Sequence, residues 1–296
     1  MDLDLAFIIL HYMSLNDTVE AIESIRKFAD TDSYKIIVID NYSPDNSFVE
    51  LNNRYSNDSK VIIIHNDQNL GFAKGNNIGI DFVRKNFKTR FVVVMNNDTL
   101  LFQGHLFSNL CKAFSEHKFS VLGPMIISGD GSCVSNPIEG GEMSLSEAKS
   151  RIAITKRMHF LSKFYLDEIV YGKCRELFRK IKKSTKEVFT KKKFCVENYN
   201  VKVDCKLHGS FLVFSDLFFE VFDGFDPRTF LFMEENILYV HLVRNHLISL
   251  YYPEIVIFHK EDASTDKSFG NGRKKRLFIN SENAKAIGQY IEVLNE

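Results

Sequence analysis

The chain lacks a net charge: thirty-eight Lys and Arg balance thirty-eight Asp and Glu over 296 residues. Without a global field there is no bulk attraction to nucleic acid, so any electrostatic role must be local. A cysteine framework is lacking too. Cys111, Cys133, Cys174, Cys195 and Cys205 are odd in number and form no C-x-x-C, which argues against a disulfide scaffold and a zinc site and fits a reducing compartment. No apolar run of 18 residues occurs, so no membrane span is expected. Asp2 and Asp4 precede only a short apolar run at 5–10, the wrong charge and length for a signal peptide. The expected location is cytoplasmic, and the length suits one large domain or one domain with an appended subdomain.

What the chain does have is a series of short apolar runs that stop at polar groups. Leu5–Leu10, Ile36–Ile39, Val61–Ile64 and Phe91–Met95 are rich in β-branched residues and show no alternation, as strands buried on both faces do. Helical stripes separate them, including Val19, Ile22, Ile25 and Phe28, where Asp17 and Glu20 predict a capping-box-like start. Starts near residues 5, 36, 61 and 91 suit βαβ crossovers and a parallel sheet of nucleotide-binding type.

In such sheets the groups just past the carboxyl strand ends line the ligand crevice. Asn96-Asn97-Asp98 stands there, so Asp98 is either a hard oxygen ligand for Mg²⁺ or Mn²⁺ or the N-cap of a following helix. Asp40 either meets a base or ribose edge or forms an Asx turn. Gly71, Gly75 and Gly79 match no phosphate-loop spacing, and Gly79 reads as a close-packing helix position.

Further along, Ser128–Glu142 reads as an irregular surface loop and residues 145–194 as mostly helical. Lys173–Lys193 holds ten Lys or Arg among apolar residues. Such a segment either lies on an anionic membrane surface or is a solvated helix packed by its apolar face. Leu207–Phe214 returns to strand character, with Gly209 permitting close backbone approach. Glu234 and Glu235 open a helix, where two acids serve either the macrodipole or catalysis as a base. Ile255–Phe258 reads as a last strand, and His259 at its end as a loop residue or a metal ligand.

Ile36–Ser43 (IIVIDNYS), Asn69–Ile80 (NLGFAKGNNIGI), Val92–Asp98 (VVVMNND), His208–Leu212 (HGSFL), Gly224–Asp226 with Phe230–Leu238, and His259 together resemble the family 2 glycosyltransferases. The resemblance leaves residues 130–200 outside it. It implies an α/β GT-A fold, a Rossmann-like, mainly parallel sheet flanked by helices, with a helical basic insertion. The implied layout is a nucleotide-sugar half at 1–130, a variable loop and basic insertion at 131–200, and an acceptor-binding half with a C-terminal helix at 201–296, in one continuous domain.

By the same resemblance, His11, Asp40, Asn41, Asn69, Gly71, Phe72, Asn76 and Asn97 surround the nucleotide, and Asp98 with His259 holds Mg²⁺ or Mn²⁺. Glu235 is the implied base, with Glu234 beside it. Two departures stand out: the strand-end motif has one carboxylate instead of the usual two, and Glu-Glu replaces Glu-Asp, which extends the second acid by one methylene. The implied reaction is inverting transfer from a nucleoside-diphosphate sugar to a glycan or lipid-linked glycan, nearest to the rhamnosyltransferase-like branch of bacterial surface-polysaccharide synthesis. The alternative is an inactive nucleotide-sugar-binding or scaffold subunit.

Overall fold

The structure, a computed structural model, describes residues 2–129, 136–164, 200–260 and 272–296. Its first third alternates strand and helix: β1 (Asp2–His11), α1 (Leu15–Phe28), β2 (Tyr34–Asp40), α2 (Ser47–Tyr55), β3 (Val61–His65), α3 (Gly71–Asn86) and β4 (Lys88–Asn96). After these come β5 (Thr99–Leu101), α4 (Leu106–His117), β6 (Val121–Ser128) and α5 (Leu145–Lys163). The remainder is β7 (Lys202–Val203), β8 (Phe211–Ser215), α6 (Asp216–Phe219), α7 (Glu234–Arg244), β9 (Ser249–His259) and α8 (Arg273–Asn295).

The strands form one mixed sheet in the order β3-β2-β1-β4-β8-β6-β9-β5, with β7 also on β9. β1 pairs in parallel with β2 and β4, and β2 with β3, as the βαβ rhythm predicts. Beyond β4 the direction changes: β8 runs antiparallel to β4 and to β6, while β6 and β9 are parallel.

The absence of alternation in the strand runs has its cause in the layers. Leu5, Phe7 and Ile9 face one core with α1, α2 and α4, whereas Ala6 and Ile8 face a second core with α3, α6 and α7. Each buried large aliphatic or aromatic side chain contributes about 1.5–3 kcal/mol, so neither strand face tolerates a polar residue until the strand ends. A third, smaller cluster holds α5, α7 and α8 together through Ala148, Ile237, Ala286 and Tyr290.

Three local expectations differ from the structure: the strand expected over Leu207–Phe214 is β8 at Phe211–Ser215, preceded by a turn at Gly209–Ser210, and the other two concern α1 and β9. α1 begins at Leu15 rather than Asp17, with Ser14 as N-cap. The carboxylates of Asp17 and Glu20 instead hold Lys260 Nζ at 3.0 and 2.6 Å, joining α1 to the end of β9. Burial disfavours the charge on Lys260, but the two carboxylates outweigh it and its pKa lies above the usual lysine value. The last strand is also longer than Ile255–Phe258, because β9 starts at Ser249. Lys173–Lys193 lies outside the described residues.

Candidate active site

Four strand ends meet at one edge of the sheet. His11, Asp40 and His65 end β1, β2 and β3 and lie in register across the parallel strands, and β4 ends beside them at Asn96. The chain then turns through Asn97 and Asp98 and re-enters the sheet as β5, whose Thr99 pairs with His259. A strand follows Asp98, so it is not the cap of a helix.

Asp98 Oδ1 stands 3.2 Å from His259 Nε2, and both residues are buried. The backbone locks the pair, since Lys260 N–H donates to Asp98 O at 3.0 Å. Asp98 Oδ1 has no hydrogen-bond partner among the described residues despite this proximity, and neither does His259 Nδ1. An oxygen and a nitrogen donor side by side but not hydrogen-bonded fit adjacent positions around a small divalent cation, where bonds of about 2.1 Å put neighbouring ligands about 3 Å apart. Among the described residues no cluster of three or more His, Cys, Asp or Glu surrounds this point. Two protein ligands suit an ion that shares its shell with phosphate oxygens and water.

The segment His208-Gly209-Ser210 carries this corner to α7. Ser210 O accepts from Asn96 N–H at 2.9 Å and from the Thr99 hydroxyl at 3.3 Å. The His208 ring lies edge-on to that of His259, centroids 5.8 Å apart. Gly209 N–H donates to Glu235 Oε1 at 3.2 Å, and a Cβ on Gly209 would come within 2.8 Å of that oxygen. The neighbour that needs a glycine here is Glu235.

Glu234 and Glu235 diverge as adjacent helix-start residues must. Glu234 is buried, and Oε1 has no hydrogen-bond partner among the described residues. Burial, reinforced by the charge of Glu235, pushes its pKa up to about 7. The two acids thus occupy different environments, one dry and one resting on a backbone amide. Beyond them Lys206, also buried, donates to Asn236 Oδ1 at 3.2 Å. Burial holds its pKa below the usual lysine value, against the pull of Glu235.

The residues expected around a nucleotide fall into two linked networks. In the first, the His11 ring is fully buried, with Nδ1 2.7 Å from Thr18 Oγ1 and Nε2 2.8 Å from Ser47 Oγ. Asn97 Nδ2 donates to the same Thr18 oxygen at 3.1 Å, so His11 and the turn bearing Asp98 share one anchor. The buried Asp40 accepts from Ser43 N–H, three residues on rather than the two of an Asx turn, and lies 2.6 Å from His65 Nδ1.

In the second network, Asn41 accepts from Leu70 N–H and Asn66 Nδ2 and donates to Asn69 Oδ1 and Gly71 O. Gly71 has φ +78°, and a Cβ there would overlap Phe230 O, which accepts from Phe72 N–H at 2.8 Å. Asn76 Nδ2 donates to Phe72 O, while its buried Oδ1 has no hydrogen-bond partner among the described residues.

Asp98, His259 and Glu235 are linked through His208 and Gly209, whereas His11, Asn41 and most of the Asn69–Asn76 run bond to neighbouring side chains and backbone. His65, Thr18 and Lys206 were not singled out from sequence. Only His208 carried a signal, as the first residue of HGSFL.

A sequence profile of the family described as Glycosyl transferase family 2 matches residues 6–183, more than half of the chain. No curated protein sequence matches. Among solved structures the chain is similar to S. aureus TarS 1–349 at 13% identity and TM-score 0.53, covering 90% of this chain and 62% of that one. For S. aureus TarS 1–349 in complex with UDP the values are 12% identity, TM-score 0.54, and 94% and 65% coverage. For GalNAc-T7 with UDP, GalNAc and Mn²⁺ they are 13%, 0.61, and 99% and 48%. The chain therefore spans between about half and two thirds of the length of these proteins. At this identity the likeness is one of fold, that of the GT-A glycosyltransferases, and the profile match settles the family: the chain belongs to glycosyl transferase family 2.

Proposed function

We propose that this chain transfers a sugar from a nucleoside-diphosphate sugar to a hydroxyl group of a glycan or lipid-linked glycan, with inversion at the anomeric carbon. The observation that carries the proposal is the Glu235 carboxylate on the amide of Gly209, one residue from the ring that meets His259 beside Asp98. A proton acceptor and a divalent-ion corner thereby share one edge of the sheet. Glu235 takes the acceptor's proton as the new glycosidic bond forms and the bond to the diphosphate breaks. Asp98 and His259 would hold Mg²⁺ or Mn²⁺, which would supply positive charge to offset that of the diphosphate.

Asp40, with His65 beside it, faces the base or ribose, while His11, Asn41, Asn69, Gly71, Phe72, Asn76 and Asn97 shape the donor side. In this reading residues 1–130 form the donor half, 131–200 a variable segment and 201–296 the acceptor half. TarS and GalNAc-T7 are each described with UDP, which supports a nucleoside-diphosphate donor here. The finer reading, carried by NLGFAKGNNIGI, is a rhamnosyltransferase-like enzyme of surface-polysaccharide assembly. A cytoplasmic site, with Lys173–Lys193 drawn to the inner membrane surface, fits that role. Among the described residues no helix is long and apolar enough to cross a membrane.

The test is release of nucleoside diphosphate from a panel of activated sugars, with and without Mn²⁺. Glu235→Gln keeps the shape but cannot take the proton, so transfer should fall at least about 100-fold while the donor dissociation constant stays near wild type. Normal transfer by Glu235→Gln together with loss in Glu234→Gln would reverse the assignment of the base. Full activity in both would remove the mechanism.

A further inference from the structure

The outer face of α5 carries large exposed apolar side chains among its polar ones. Ile154, Phe160 and Phe164 are 61%, 58% and 59% exposed, and the two phenylalanine rings touch at 5.0 Å between centroids. At about 100° per residue these three fall within a band roughly 120° wide, opposite the face on which Ala148, Ile152 and Ser162 pack inward. Lys149, Lys156 and Lys163 border the band on one side and Arg151 on the other, and Arg157 lies within it.

Among the described residues this end of the molecule is basic, although the chain as a whole is neutral. The Arg273 guanidinium donates to Ser162 O and Lys163 O, pinning the first turn of α8 to the last turn of α5. The stretches Ala148–Phe164 and Gly272–Ser281 together contain nine Lys or Arg and no Asp or Glu.

We propose that this α5–α8 tip is a docking surface for an anionic lipid membrane, with Phe160, Phe164 and Ile154 immersed and the surrounding cations at the headgroups. Apolar side chains flanked by Lys and Arg, whose stems reach along the apolar layer while their charges stay in water, match that interface. A second copy of the chain is a poor occupant, since the same cationic surface would meet itself. Nucleic acid would use the charge but gain nothing from an exposed Ile154. The proposal is independent of the catalytic reading, and it concerns residues other than Lys173–Lys193.

The chain contains no tryptophan, so Phe164→Trp supplies a single fluorophore at the proposed point of immersion. With the full chain, its emission should shift to the blue and be quenched by brominated lipid on vesicles containing phosphatidylglycerol, but not on phosphatidylcholine alone. Phe160→Ser with Phe164→Ser should keep wild-type circular dichroism and melting, yet lower partitioning onto the anionic vesicles at least about tenfold. Three results would each overturn the proposal: bound Phe164→Trp whose emission stays unshifted, unchanged partitioning of the double variant, or a shift that appears with protein concentration in the absence of vesicles. The first assigns binding to charge elsewhere, and the last assigns the face to self-association.

Discussion

Two adjacent glutamates of the same chemistry are set apart by where their oxygens end. Glu235 rests on the Gly209 amide, while Glu234 is buried with an unbonded oxygen among the described residues. Because burial raises the Glu234 pKa from 4.5 to about 7, the folded state holds this proton more tightly than the unfolded state. The associated stability is fully present below about pH 4.5 and is lost as pH rises through 7. At about 1.4 kcal/mol per unit this amounts to at most about 3 kcal/mol. Glu234→Gln cannot ionise, so urea unfolding should find it close to wild type near pH 4.5 and more stable by up to about 3 kcal/mol at pH 8. An equal loss of stability at both pH values would mean that hydrogen bonding, rather than a buried proton, defines this position. The adjacency of the two acids was plain in the sequence. Their different surroundings were not, because the Glu235 carboxylate is met by the amide of Gly209, 26 residues away in the chain.

At the scale of elements, the legible parts are those whose signal is local. The runs ending at His11, Asp40 and Asn96 are strands buried on both faces, and a polar residue marks where each apolar run stops, although His11 and Asp40 are themselves buried; β3, at the edge of the sheet, is only partly buried beyond Val61. β6 was missed, since Gly123-Pro124 interrupts its run, and so was the reversal at β8, because strand order depends on pairing between distant segments. Asp17 and Glu20 carried the spacing of a cap, but their partner is Lys260, which no local pattern reveals.

The glycine-rich run shows the same distinction. Gly79 is small, as a close-packing position requires, because Ile8 Cγ2 packs 2.5 Å from where its Cβ would be, whereas the two 2.8 Å hydrogen bonds that Asn77 exchanges with Phe225 join segments far apart in the chain. Asn41 is the centre of this element, binding four groups that fix the entry to α3. Asn41→Ala leaves several buried polar groups unpaired and should destabilise the fold by at least about 2 kcal/mol in chemical denaturation. A smaller effect, coupled with a large loss of nucleotide affinity, would mean that Asn41 serves the ligand more than the loop.

Across the whole molecule, the proposed donor and acceptor halves interleave in the sheet, with β8 between β4 and β6 and β9 between β6 and β5, and the proposed ion corner draws on both. Asp98 follows β4, whereas His259 ends β9 and is tied back to α1 through Lys260. Binding there should therefore stabilise the entire fold rather than one loop, since any ligand held only by the native state adds its binding free energy to folding. A nucleoside diphosphate with Mn²⁺ at about one hundred times its dissociation constant contributes about 2.7 kcal/mol, which for a chain of 296 residues is a rise of roughly 4 °C in Tm. Asp98→Asn keeps the shape and the backbone bond from Lys260 but removes the anionic ligand. Its melting without ligand should stay near wild type, while the part of the Tm rise that depends on Mn²⁺ disappears and any rise from nucleotide alone remains. His259→Gln should have the same selective effect in weaker form, because a neutral donor is lost from the ion's shell while the carboxylate stays. If Asp98→Asn retains the full Mn²⁺ increment across UDP, GDP, CDP and dTDP, the ion is held elsewhere, and the unbonded Asp98 oxygen requires a different partner.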